Sequence, residues 1–240
     1  MVARSVAVRF ALPVVLFAAC QTAAPAPTVT SPIPGLDLAR LQPRRDAFTV
    51  LVQGKPLGTQ TCSIERSADG WLYVETTAIP PMVQQTTEVW LAADGRMQRV
   101  RQRGTMGGKP MQIDAAYEGG SVLADAVTPS AAAPVHSELH LGPAAVDDNA
   151  LQALLPALVL NGNVPRTWTV FSTGKGKTET ARVERVGVET VTTKAGPVAA
   201  SRIRVKFADT AMEFVIGDAA PHWIWSSGAP GTQFVMQRVE

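Results

Sequence analysis

The chain has 240 residues, 46% of them hydrophobic and 18% charged, which suits one large globular domain and excludes a disordered polymer. Its formal charge is +2, and losing Arg4 and Arg9 with an export signal would leave 20 basic against 20 acidic residues. So even a balance excludes a general nucleic-acid binder, which needs a concentrated positive field.

Arg4 and Arg9 lead into an apolar run from Phe10 to Ala19 that stops at Cys20. The run is too short to span a bilayer as a helix, which takes roughly 20 residues. A basic start, a short apolar run and small residues at its end predict a secretory signal over 1–19. Leu16-Phe17-Ala18-Ala19-Cys20 resembles the lipobox of bacterial lipoproteins, with Phe17 where that family usually has Leu. The resemblance implies that Cys20 is acylated, becomes the new N-terminus and makes a membrane the protein's partner. Gln21, rather than Asp, implies the outer membrane, facing the periplasm, in a host that has one. The alternative is an ordinary signal with Cys20 incidental. Acylation of Cys20 would leave Cys62 as the other cysteine, so no internal disulfide framework is expected. Cys62 alternates with Ile64, which predicts a small buried side chain rather than a nucleophile.

Residues 20–45 carry five prolines and few large apolar groups, which predicts a semi-extended tether before a single β-rich domain over 46–240. Asp46–Gln53 and Leu57–Arg66 read as a hairpin, followed by strands at Trp71–Ile79, Val83–Ala92 and Arg96–Arg103. Ala68-Asp69-Gly70 and the Ala-Asp-Gly of 93–95 supply turns. Met111, Ile113, Ala115 and Tyr117 alternate with polar or small residues, and Glu118-Gly119-Gly120 turns into Ser121–Val127. Thr128–Ala145 is Pro- and Ala-rich and predicts an irregular crossover.

One long helical signal follows. Asp147 or Asp148 can cap it, Ala150, Leu151, Leu154, Leu155 and Leu158 recur at helical spacing, and Pro156 ends it near Leu155. Asn149, Gln152 and Ala153 are expected on its other side. Asn161-Gly162-Asn163 turns into strands at Thr167–Ser172, Thr178–Val188, Pro197–Ala208, Ala211–Ile216, His222–Trp225 and Thr232–Val239. The expected fold is mainly β: a single curved antiparallel sheet or open half-barrel of about a dozen strands, with one central helix near 147–155.

Phe48-x-Val50 with Gly54 and Gly58, then hairpins, then Asp148-Asn149-Ala150-Leu151, then Ala195-Gly196-Pro197, form an order that resembles a family of uncharacterised bacterial envelope proteins. The resemblance implies strongly curved antiparallel sheets, similar to the half-barrels of lipoprotein carriers. It supplies no catalytic residues.

Gly176-Lys177-Thr178 looks like the end of a phosphate-binding loop, but Phe171 stands where that loop needs its first glycine, so a hairpin turn is expected. On a strand, His136, Glu138 and His140 share a face and are weak metal-ligand candidates, with His222 as a distant third imidazole. A solvated strand is the competing account. Arg99, Arg101 and Arg103, and likewise Arg202, Arg204 and Lys206, form stripes for anionic headgroups or simply a solvated sheet face. Trp71, Trp90, Trp223 and Trp225, with Leu151 and Leu154, are the candidate lining of a ligand cavity, or else core.

No catalytic constellation or cofactor motif emerges. The expected function is therefore a non-enzymatic, membrane-tethered envelope lipoprotein. It binds a lipid or other amphiphile, or an envelope protein partner, in the sheet's concavity. A purely structural or assembly partner with a filled core is the alternative, and a hydrolase or metalloenzyme the third reading.

Overall fold

The computed structural model describes residues 30–240 apart from Ser130, Asn161 and Asn163. The expected signal, Cys20 and the turn residues Asn161 and Asn163 lie outside the described residues. Among those described, no helix is long and apolar enough to cross a membrane.

Fifteen strands form one sheet: β1 (Arg44–Val52), β2 (Lys55–Ser67), β3 (Gly70–Ile79), β4 (Val83–Ala92), β5 (Met97–Met106), β6 (Lys109–Glu118), β7 (Ser121–Val127), β8 (Val135–His140), β9 (Val146–Asp147), β10 (Arg166–Ser172), β11 (Lys177–Thr193), β12 (Gly196–Lys206), β13 (Ala211–Gly217), β14 (Ile224–Gly228) and β15 (Phe234–Arg238). The order runs β8 to β1, then β15 back to β9, so the sheet is two meanders joined where β1 pairs β15. Every pair is antiparallel except β9 with β10. Hairpin chemistry enforces this order. Gly119 and Gly120 both adopt positive φ, +58° and +83°, which suits the tight β6–β7 turn.

Alternation decides the faces. On β7, Val122, Ala124 and Ala126 are buried while Leu123 and Val127 are exposed. Register shifts at Val50/Leu51, Trp90/Leu91, Arg185/Gly187 and Val215/Ile216 add the local bends that curl the sheet. It curls far enough for its two ends to meet. The turn after β10, residues 173–175, packs on β6 and β7, and a Cβ on Gly176 would lie 2.5 Å from Val135 of β8. Gly176 therefore belongs to a hairpin turn, as expected.

Of the two strands beyond those predicted, β8 comes from the stretch expected to be irregular and β9 from the start of the stretch expected to be helical. Pro134 precedes β8, so the Pro-rich composition describes only the approach to a strand that β7 templates.

The helical stretch sits inside the rolled sheet. One α-helical turn, α1 (Leu151–Leu154), is flanked by 3-10 turns at Asp148–Ala150 and Leu155–Ala157. Asp147 is the cap, its carboxylate accepting from the Asn149 amide at 2.9 Å. The expected polar side of this helix is corrected: Ala153 is fully buried, and Gln152 Oε1 accepts from Gln60 Nε2 at 3.1 Å. A helix enclosed by a barrel has wall on several sides.

The tether is corrected over its described part, 30–45, while residues 20–29 lie outside the described residues. Ile33, Leu38 and Leu41 are buried. Trp168 Nε1 donates to the Pro34 carbonyl at 2.9 Å, and Arg40 Nη1 donates to the Leu158 carbonyl at 2.7 Å. The segment bends at 32–35, where the Leu36 amide donates to the Ile33 carbonyl, and then forms a 3-10 turn at Leu38–Arg40. A chain beginning at Asp46 is thus expected to melt well below the mature protein. Uncovering three apolar side chains at about 1.5–3 kcal/mol each, followed by calorimetry, checks this; equal melting temperatures would contradict the docking.

Candidate functional site

Two buried polar clusters stand out, one at the seam of the barrel and one inside it. At the seam, Asp147 ends the two-residue β9 and is fully buried. Its carboxylate accepts from Tyr117 Oη on β6, from Thr173 Oγ1 after β10, and from the Asn149 amide and Nδ2 at 2.9 and 2.7 Å. A carboxylate has about four acceptor positions, so these donors occupy its capacity. Beside it, Asp148 accepts from Ser172 Oγ at 2.7 Å and Asn149 Nδ2 at 3.1 Å. Burial, then the neighbouring Asp147 charge, push the Asp148 carboxyl up to about 8. Burial also raises the Tyr117 phenol, which stays a proton donor.

Asp148 faces a cleft of about 280 Å³ lined with Asn149, Leu151, Ser172, Lys175, Glu179 and Phe207 among others. Chemically, Asp147 has no lone pair left for a metal or a substrate proton. The arrangement stitches β6, β9 and β10 together where the sheet would otherwise be open.

The inner cluster ties the helix to the wall. Tyr73 Oη donates to Glu75 at 2.8 Å and lies 3.2 Å from Cys62 Sγ, while Gln60 reaches Gln152. Burial pushes the Cys62 thiol up to about 12, so it is a packed side chain and not a nucleophile. Burial raises the Glu75 carboxyl too. Nearby, buried Asp46 holds Arg44 at 3.0 Å and Arg238.

The residues singled out from sequence are distributed differently from expectation. Trp71 faces inward at 1% exposure, under the Arg66 guanidinium 3.7 Å from its ring centroid. Trp90 pairs with Leu72 on the opposite face and has Arg99 and Arg101 5.7 Å from its centroid. Trp223 and Trp225 flank inward-facing Ile224, and Arg238 lies 3.6 Å from the Trp223 centroid. Strand parity thus forbids these four from lining one cavity. Leu154 is core, and Leu151 reaches only the seam cleft.

His136 and His140 do share a face of β8, but His136 Nδ1 pairs with Asp125 Oδ1 at 2.8 Å and His140 with Ser121 at 3.1 Å. Glu138 stands opposite Leu123. His222 lies against Arg40 and the Gly217 carbonyl, so the weak metal-ligand candidates are not brought together with it. Among the described residues no group of three or more His, Cys, Asp or Glu is arranged to hold a metal ion.

The basic stripes are cross-strand ion-pair ladders. Arg99, Arg101 and Arg103 converge on Asp114, with Arg101 also 3.7 Å from Glu88. Arg202 pairs with Glu189 at 2.5 Å and Arg204 with Glu213 at 2.6 Å, leaving Lys206 exposed beside them.

Sequence reasoning missed Tyr117, Ser172 and Thr173, which read only as strand and turn residues. The available signal was the Asp147-Asp148 pair itself, since one helix start needs only one capping carboxylate.

The fold is similar to the crystal structure of a beta-barrel-like protein of domain of unknown function DUF1849 from Brucella abortus. That match has a TM-score of 0.52 at 13% identity and covers 84% of this chain and 97% of the other, which speaks for the fold alone. None of the curated proteins matches the chain. The family model described as a protein of unknown function, DUF3108, matches residues 47–238, and the chain belongs to that family.

Proposed function

We propose that this protein is an exported, non-enzymatic envelope lipoprotein whose barrel serves as a rigid structural or assembly partner for another envelope component. The reading rests on one observation, the filled interior. Leu154, Leu155, Trp71, Trp168 and Val170 are at most 1% exposed and occupy the space where a carrier would hold its ligand. The expectation of an amphiphile in the concavity loses its support accordingly. The two polar clusters support the same reading, because their carboxylates are engaged in joining strands.

Attachment to the membrane through acylated Cys20 follows from the Leu16–Cys20 pattern, and placement at the outer membrane from Gln21. Two measurements test the proposal together. Cys20→Ser is expected to abolish fatty-acid labelling and move the protein from the membrane to the soluble fraction; label that persists refutes the anchor. Native mass spectrometry of that soluble variant is expected to show the polypeptide mass alone. A lipid bound one to one that Leu154→Ala releases would replace the structural reading with a carrier.

A further inference from the structure

Among the described residues, four arginines have no carboxylate within ion-pair distance: Arg40, Arg66, Arg166 and Arg185. Arg66 is accounted for by the Trp71 ring. The other three gather at one end of the barrel, around residues 158–160. Arg40 Nη1 holds the Leu158 carbonyl at 2.7 Å. Arg166 and Leu158 both flank Gly35, where an added Cβ would lie 3.1 Å from Arg166 Nε and 3.3 Å from Leu158 Cδ1. Arg185 pairs with Ile203 on the inner face and lines a cavity together with Arg40, Leu158 and Leu160.

That cavity has a volume of about 170 Å³, with Leu155, Ile203 and Ile216 as its apolar wall. Arg40 is oriented by neutral groups. The Arg40 guanidinium lies against the His222 ring, with Nε 3.1 Å from Nε2 and Nη2 3.0 Å from Nδ1, and Nδ1 is also 3.1 Å from the Gly217 carbonyl. The carboxylate on the wall, Asp218, is bonded by Ser201 at 2.7 Å and offsets one of the positive charges. Collecting like charges in a partly desolvated place is unfavourable unless an anion joins them, and this chain gives carboxylates to the arginines of its sheet ladders. Forked guanidinium donors match phosphate oxygens. The volume is below the usual range for drug-sized ligands, so it admits a phosphate group with a few carbons and no acyl chain.

We propose that the Arg40–Arg185 cavity binds a phosphate group, borne either by free phosphate and its small esters or by a phospholipid headgroup. The site lies at one end of the barrel, bounded by Leu155 of the filled interior, and does not depend on the structural reading above.

The test is thermal melting of the mature protein in inorganic phosphate against chloride at equal ionic strength. A ligand that binds only the folded state raises the melting temperature in a saturable way. Phosphate is expected to do so. Arg185→Met, which keeps the apolar stem, is expected to weaken the response about 10- to 100-fold, the range for a hydrogen bond to a charged group. Arg185→Lys should restore part of it. Leu160→Glu, which tethers a carboxylate at the cavity wall, should keep the fold and abolish the response even where Arg185→Met proves unstable. Sedimentation of the Cys20→Ser protein with phosphatidylglycerol against phosphatidylcholine vesicles separates the sources. Vesicle binding that Leu160→Glu removes assigns a headgroup, and phosphate binding without vesicle binding assigns a free phosphate compound. No saturable phosphate effect, or one that Leu160→Glu leaves unchanged, overturns the proposal.

Discussion

Leu154→Ala is expected to destabilise the protein by about 2–5 kcal/mol, the cost of a large-to-small change in a packed core. Leu154 is fully buried in α1 at the centre of the rolled sheet, so the surrounding wall can collapse only in part. For a chain of this size the loss should lower the melting temperature by about 5–15 °C. Leu154→Asp should prevent folding, because it buries a carboxylate without partners. Gln152→Ala supplies the comparison within the same helix. It removes the acceptor of Gln60 Nε2, and the expected cost of about 1 kcal/mol is that of one hydrogen bond. Thermal denaturation of the three variants decides the matter. A stable Leu154→Asp protein would mean that the helix does not fill the barrel.

Asp147→Ala is expected to cost about 3–5 kcal/mol, since the Tyr117 and Thr173 hydroxyls and the Asn149 amide would lose their acceptor. The damage should be local to the seam, so amide exchange should rise first in β9, β10 and the 173–175 turn while β2–β4 stay protected. Uniform loss of protection would show that the seam is part of the global unfolding unit instead. The neighbouring acid responds to pH in the opposite sense from an ordinary ion pair. Because the Asp148 carboxyl is raised in the folded state, the folded protein holds a proton there that the unfolded chain releases. Its contribution to stability is complete below about pH 4 and is lost as pH rises toward about 8. Asp148→Asn, uncharged throughout, should flatten that decline and raise the melting temperature at pH 8 relative to the parent. Glu75, raised in the same direction by burial, leaves part of the decline in place. A parent protein equally stable at pH 5 and pH 8 would refute the assignment.

Much of the architecture could be read locally, because a hairpin is a local object. Period-two alternation and Gly-containing turns located thirteen of the fifteen strands, including seven of the eight in the first meander. Cys62 was legible as core from its alternation with Ile64. The arginine stripes were legible as stripes, but their neutralisation was not, since Asp114 serves Arg99, Arg101 and Arg103 only through strand register. The tryptophans failed for the same reason. Residue type marks Trp71 and Trp90 alike as large and aromatic, while parity sends one into the barrel and the other out.

What the sequence by itself determined is the class of fold: hairpins in series, one helical interruption near 147–155, and a near-neutral composition. What only the tertiary structure decided is what that helix is for. Its apolar spacing demands burial but does not state on how many sides, and closure of the sheet depends on contacts such as Tyr117 with Asp147, thirty residues apart in the chain. Docking of Ile33, Leu38 and Leu41 was invisible for a related reason. A short segment with few apolar residues cannot fold alone, and only a preformed groove tells it where to lie.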